Sequence, residues 1–284
     1  LLFKAQKIKA IYLIVGISAL CLIDLWQVDK RYLNDEMFVP KSERDTPQQA
    51  TATDLQILKD KSLSYRVLNF ASGAFNENNT SYFHKSIGGY HPAKLRRYQE
   101  MIDKYIAPEM QTAMKAIANK GGVMSEVDGR KLFPILNMLN AKYFIVPLQG
   151  NATTSIQNPY TQGNGWFVDK LTYVADANAE YAGVGKIDVS HEAVADKKFE
   201  PILGQTQTND STARVVLTKY EPNNMTYTVS STKGGVVVFS EVYYPGWTAT
   251  IDGQPAELGR VNYILRALNV KAGKHEVVLD FHPT

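Results

Sequence analysis

Met225-Thr-Tyr-Thr-Val-Ser230 and Val236-Val-Val-Phe239 decide how this chain is read. The first alternates apolar and hydroxyl side chains, the period-two pattern of a strand with one wet face. The second is a short continuous apolar run, the pattern of a buried strand. Working outward, Trp247, Ala249 and Ile251 alternate up to a turn at Asp252-Gly253. Tyr263, Leu265 and Ala267 lead to a second turn at Ala272-Gly273, and Val277, Leu279 and Phe281 close the series. Short strands punctuated by Gly turns predict an antiparallel β-sandwich over residues 221–284. The strand texture begins around Val215–Leu217. Upstream, 166–174 has strand composition and 176–185 reads as a short helix, so 166–220 is a mixed connecting region.

A different texture precedes it. Thr53 is placed as the N-cap of a helix over Asp54–Asp60, and Ser64–Phe70 as a strand. Residues 71–81, rich in Asn, Gly and Ser, read as a loop. Pro92 marks a first helical position, with Leu95, Tyr98, Met101, Ile102 and Tyr105 at helical spacing. Pro108 opens a second helix that Gly121-Gly122 closes. Leu132–Leu139 reads as helix, Ala141–Pro147 as a short strand, and 150–165 as a polar loop. Two strands separated by helices make an α/β unit, assigned to residues 30–165. The fold class expected is α+β: an N-terminal membrane helix within residues 1–29, an α/β domain, then the sandwich.

The membrane assignment rests on Ala10–Ile23, AIYLIVGISALCLI, which contains no charged residue. Leu25-Trp26 extend it past Asp24. A signal peptide shares the basic flank but should be followed by a small-residue cleavage site. A buried helix of a soluble core is also open on length alone. A membrane helix fits best, with Trp26 at interfacial depth and Asp24 near the headgroups. Lys4, Lys7 and Lys9 precede the run, while Asp24 and Asp29 flank its far end. The positive-inside bias then puts the N-terminal side in the cytoplasm and the remainder outside, despite Lys30-Arg31. The chain starts at Leu1 and stops at Thr284 directly after a strand, and we read it as a piece of a longer protein.

Composition narrows the function. The 44% apolar and 21% charged residues are those of a globular protein. A net charge of +3 without a basic run gives no support for nucleic acid. The single cysteine, Cys21, rules out a disulfide framework or Cys-based metal site within the chain. No metal spacing joins His84, His91, His191, His275 and His282, and Walker, dinucleotide and Gly-x-Ser-x-Gly patterns are missing. No cofactor is expected.

Several stretches resemble YfhO-like bacterial membrane proteins. They are Asp24-Leu-Trp26, Arg31-Tyr-Leu-Asn34, Ser86-Ile-Gly-Gly-Tyr-His-Pro-Ala-Lys-Leu-Arg-Arg-Tyr98 and Leu136-Asn-Met-Leu-Asn-Ala-Lys-Tyr-Phe-Ile-Val146. The closing Tyr243-Tyr-Pro-Gly-Trp-Thr-Ala-Thr-Ile-Asp-Gly253 and Ala272-Gly-Lys-His-Glu-Val277 are similar as well. The resemblance implies a polytopic protein like the C-type glycosyltransferases, which use polyprenyl-phosphate-linked sugars outside the cytoplasmic membrane. It further implies that the catalytic acid belongs to an early extracytoplasmic loop, outside this sequence. The expected role is therefore that of an extracytoplasmic (periplasmic) part, inactive by itself, with the membrane and a polyprenyl-phosphate sugar or envelope glycan as partners. The alternative is a membrane-anchored module that binds glycan or protein without catalysis.

The ligand-binding candidates are His84, Gly88, Gly89, Tyr90, His91, Lys94 and Arg97, with Arg96 beside them. Two readings stand. In one, Gly88-Gly89 let the backbone approach a phosphate or sugar, a helix start after His91 favours an anion, and Lys94 and Arg97 share a face. In the other, the glycines serve chain reversal, His91 caps or fills, and the basic residues are a solvated face. Trp247 and Trp166 are read as core in preference to sugar-stacking platforms. Asp24, Asp29, Asp35 and Glu36 show no spacing that selects a catalytic pair, so catalytic residues remain unassigned.

Overall fold

The structure is a computed structural model that describes residues 9–38, 40–41, 48–206 and 209–283. Lys4 and Lys7, which bear on orientation, and both chain ends lie outside those residues. The chain divides into two units, Leu1–Gln49 and Ala50–Thr284.

The first unit is dominated by one helix, Ala10–Tyr32, 23 residues long. At 1.5 Å per residue it extends about 34 Å, enough to cross a hydrocarbon core. Its apolar side chains point outward all round, Ile11, Ile14, Ile17, Leu20 and Ile23 among them, and none of its residues is buried. A helix apolar on every side has no water-facing stripe, which is the pattern of a membrane span. Lys30 and Arg31 lie in its last turn, where cations complement the helix dipole. Lys30 also sits over the Trp26 ring at 5.9 Å.

In the second unit, β1 (Arg66–Asn69), β2 (Ala141–Pro147) and β3 (Thr153–Gln157) form one sheet in that order. β1 and β2 are parallel, as two strands joined through helices require. β4 (Gly165–Phe167) leaves this region for another sheet, whereas β5 (Lys170–Val174) pairs in parallel with β6 (Glu192–Asp196) across the helix Ala177–Gly183. The remaining strands are β7 (Arg214–Glu221), β8 (Asn224–Ser231), β9 (Gly235–Val242) and β10 (Trp247–Ile251). They are followed by β11 (Gln254–Ala256), β12 (Gly259–Val261), β13 (Leu265–Val270) and β14 (Gly273–Phe281). They build an outer sheet, β11-β10-β14-β8-β7, and a second sheet, β12-β13-β9-β4, both antiparallel. The chain is thus α+β, with an apolar N-terminal helix, mixed helices and sheets, and a sandwich-like C-terminal pair of sheets.

The second sheet is a middle layer. Val237 and Phe239 of β9 and Leu268 and Val270 of β13 pack with Met225, Tyr227, Val229, Val277 and Leu279 of the outer sheet. Val236, Val238, Leu265 and Ala267 face the other way, into a core shared with Leu68, Phe133, Leu136, Phe144 and Trp166. A sheet buried on both faces needs continuous apolar strands, and GVVVFS supplies one. The outer sheet has one covered face, and β8 accordingly alternates buried and half-exposed residues along its length.

The helices depart from expectation at identifiable places. Thr51, not Thr53, is the N-cap: its hydroxyl accepts from Asp54 N–H and the Asp54 carboxylate answers on Thr51, closing a capping box over Ala52–Ile57. Thr53 is buried instead, bonded to Thr153. The helix assigned to Pro92 begins only at Arg96, with Leu95 as its extended N-cap. Pro108 opens no new helix. Arg96–Met101 runs through a π turn, Ile102–Ile106, straight into Ala107–Asn119. The missing proline N–H costs little where the bonding pattern is already shifted by one residue. Gly121 and Gly122, both at positive φ, end it as expected. Glu109 on this helix accepts the N–H groups of Ile135 and Leu136, capping the short helix Pro134–Met138 from outside. Burial pushes the Glu109 carboxyl up to about 8 against those two donors. The 71–81 loop ends in a helical turn, Asn79–Phe83, and the 150–165 loop contains β3.

Because one strand serves two cores, we expect a single unfolding transition for the second unit. Trp166 lies in the inner core and Trp247 packs against the outer one. Their fluorescence transitions in urea should coincide, and Phe239→Ala should shift both by about 3–5 kcal/mol. Two separated midpoints would show the layers to be independent.

Candidate functional site

The segment carrying the Gly-Gly motif is an extension of the first sheet. Ile87 N–H donates to Val67 O at 3.0 Å and Val67 N–H to Lys85 O at 2.8 Å, so Ser86 bridges β1 in parallel. A Cβ on Gly88 would lie 1.8 Å from the Ala74 carbonyl oxygen. Gly89, at φ +111°, donates its N–H to that same oxygen at 2.7 Å. Tyr90 N–H goes to Glu77 O and Asn78 Oδ1. The close approach that the two glycines permit is thus made to the 74–78 loop of the chain itself.

The side chains then diverge. His84 is buried, with Nε2 2.9 Å from Asp54 Oδ1, which ties the segment to the capped helix Ala52–Ile57. Tyr90 and His91 are exposed, and His91 Nδ1 accepts from Ala93 N–H to shape a turn ahead of the helix. Lys94 therefore precedes the helix and does not share a helical face with Arg97. Its Nζ lies 5.4 Å from the Phe75 ring, whereas Arg97 stacks 4.4 Å from Tyr263. Arg96 is exposed and pairs with Glu100 at 3.0 Å. Glu100 also accepts from the Tyr263 hydroxyl, so this helix is fastened to the β12–β13 hairpin.

Behind the motif lies a cavity of about 240 Å³. Ser86, Gly88 and Tyr98 line one side, Leu139 and Val242 the other, and Arg66 is its charged member. Tyr98 donates to Ile87 O at 2.6 Å, and burial pushes its hydroxyl up to about 12. Arg66 donates through Nη1 to the carbonyls of Leu139 and Ser240 and through Nη2 to Glu241 Oε2 at 3.0 Å. Two further cations surround the same carboxylate. Lys85 Nζ lies 2.9 Å from the Tyr220 ring centre and bonds Ser64 Oγ. Burial lowers Lys85 to about 8, Glu241 opposing and Arg66 adding to the effect. Arg266 stacks at 3.8 Å on Trp247, donates through Nε to Val242 O, and is lowered by burial to about 10.

This basic group joins residues 66, 85, 241 and 266, and no spacing in the sequence announces it. Trp247 is flanked by Arg266 and, at 5.4 Å, by Phe281, so its ring faces are occupied. Trp166 is buried and donates to Val189 O. Among the described residues no group of three or more His, Cys, Asp or Glu could hold a metal ion.

An exposed apolar helix long enough to cross a membrane precedes an α+β unit with paired antiparallel sheets. Residues 201–284 match the family model described as bacterial membrane protein YfhO. The match spans β7 to β14, hence the whole outer sheet and all of the middle sheet except β4. It bears out the resemblance drawn from the sequence over that region. No curated protein matches the chain.

Two outcomes test these assignments. Gly88→Ala should destabilise the fold by at least about 3 kcal/mol in urea unfolding, whereas His91→Ala, at an exposed turn, should stay within about 0.5 kcal/mol. His275 Nδ1, on β14, lies 2.7 Å from Oδ2 of Asp252 in the β10–β11 turn, and the hydrogen bond to Asp252 raises His275 above its usual value. The stabilisation should be complete below pH 6.5 and lost as pH rises through the raised value. Urea midpoints at about pH 5.5 and about pH 8.5 should therefore differ less in His275→Gln than in the parent.

Proposed function

We propose that this chain is the extracytoplasmic part of a membrane protein resembling glycosyltransferases that use polyprenyl-phosphate-linked sugars for cell-envelope glycosylation. The observation that carries the reading is the pairing of a membrane-length apolar helix with a C-terminal region matching a bacterial membrane protein family. Lys9 before the helix and Asp24 and Asp29 towards its far end support an N-terminal side in the cytoplasm, with the polar domain from about residue 30 onward outside. In this reading the bond-forming chemistry belongs to membrane-embedded parts of the parent protein, and the domain described here positions donor or acceptor. The motif segment, which presents Tyr90 and His91 to solvent and lines a cavity through Ser86, Gly88 and Tyr98, is the surface for that role.

A second reading is a membrane-anchored module that binds glycan or protein without catalysis. The exposed Tyr82 and Tyr90 side chains favour it, since both present aromatic surface to solvent from one segment. Sugar analysis of envelope polymers separates the two. A strain deleted for the full gene should lack one sugar substituent, and the wild-type gene should restore it. Tyr90→Ala/His91→Ala, made at normal protein level, should restore less than about a tenth of it. An unchanged envelope glycan profile in the deletion strain would sink the transferase reading and leave the binding module.

A further inference from the structure

A cavity of about 410 Å³, lined in part by Trp166, opens where four chain segments meet. Asp169 follows β4, Ser190 and His191 precede β6, Asn209 and Arg214 flank the start of β7, and Gly234 closes the turn before β9. The volume falls in the range of small-molecule sites.

Its chemistry is organised around a pair. His191 Nδ1 and Asp169 Oδ2 are 2.8 Å apart, and Asp169 N–H donates to His191 O at 2.7 Å. Both residues sit at the mouth of the β5–β6 pair, so backbone and side-chain bonds hold them together. A carboxylate at Nδ1 keeps the ring proton there and leaves Nε2 as an acceptor. Among the described residues, neither Nε2 nor Asp169 Oδ1 has a protein partner. Arg214 spends Nη1 on the carbonyls of Ser211 and Ala213, leaving Nε and Nη2 as donors. Asp210 plays another part. Its two oxygens accept from Thr212, Ser231 and Thr232, which fixes the wall and holds its carboxyl well below the usual range.

The balance of these groups selects a ligand class. Two carboxylates face one arginine and one histidine, so the cavity has no excess positive charge to attract a phosphate. The absence of a metal-binding group among the described residues argues against a cation. Acceptors and donors interleaved at this size suit a ring bearing several hydroxyls.

We propose that this cavity binds one sugar ring of an uncharged glycan, with His191 Nε2 and Asp169 Oδ1 accepting from ligand hydroxyls and Arg214 donating to a ligand oxygen. The proposal deepens the reading above, giving the domain a place to hold a glycan acceptor. It is tested separately from that reading.

The full chain, in a sugar-free detergent, is titrated with the methyl glycosides of glucose, galactose and N-acetylglucosamine. Binding is followed by NMR at the His191 ring and at the Trp166 indole N–H. At least one glycoside should shift both resonances saturably. His191→Gln and Asp169→Asn, read on Trp166, should weaken that binding about tenfold, the loss of one or two hydrogen bonds. Unchanged indole positions in the ligand-free variants would show the fold intact. No shift with any glycoside, or an equal shift in parent and variants, overturns the site. A response confined to inorganic phosphate or calcium chloride overturns it as well. The envelope-sugar phenotype can persist when this site fails, so the two failures are distinguishable.

Discussion

Everything in the second unit hangs on a sheet that is buried from both sides. Val236 and Val238 complete the core of the α/β layer, while their neighbours Val237 and Phe239 complete that of the outer sheet. Fully burying each such side chain contributes about 1.5–3 kcal/mol, and here a single strand supplies four of them to two cores. Gly165 shows how close the layers come. A Cβ there would meet Val215 Cγ1 at 2.8 Å, so β4 can enter the sheet only without a side chain at that position.

Apolar contact does not by itself fix how the layers are aligned. A polar seam does. Arg66 spans from Leu139 to Ser240 and Glu241, and Asn140, at φ 54°, bonds Ser64 O and Asn164 Oδ1. On the far side Glu180, fully buried, accepts from Arg260 at 2.7 Å and from Tyr263 N–H at 3.1 Å. Burial raises the Glu180 carboxyl, and Arg260 beside it pulls the other way. Groups of this kind are costly to bury unless each finds its partner, so they penalise any register but one. The hairpin between β12 and β13 is held the same way: Asn262 and Tyr263 both adopt positive φ, and Asn262 exchanges hydrogen bonds with Val194 of β6. Two consecutive side-chain-bearing residues in that region are unfavourable, and the Glu180, Val194 and Glu100 contacts are what hold them there.

The motif segment shows why sequence located a candidate site without giving its geometry. Ser86 to Tyr98 stood out by composition. Its partners are Ala74, Phe75, Tyr263 and Val242, from three other places in the chain, and their identity is a matter of packing. Pro92 is a strong local signal for a helix start, yet His91 and Ala93 close a turn over it and postpone the helix to Arg96. β3 and β6 are not legible in the sequence for a related reason. TTSIQ and EAVAD have little strand character of their own and are held by β2 and β5.

What the sequence determined alone is whatever depends on neighbours a few residues away. The apolar helix, the alternating strands of the outer sheet, the buried run at 236–239, and the turns at Asp252-Gly253 and Ala272-Gly273 all follow from local pattern. Tertiary structure decided the rest. It chose which face of β9 meets which core, gathered Arg66, Lys85 and Arg266 around one glutamate, and set Asp169 against His191 beside Arg214. Those arrangements join residues up to two hundred positions apart, and only the burial of shared apolar surface holds such distant side chains within hydrogen-bonding distance.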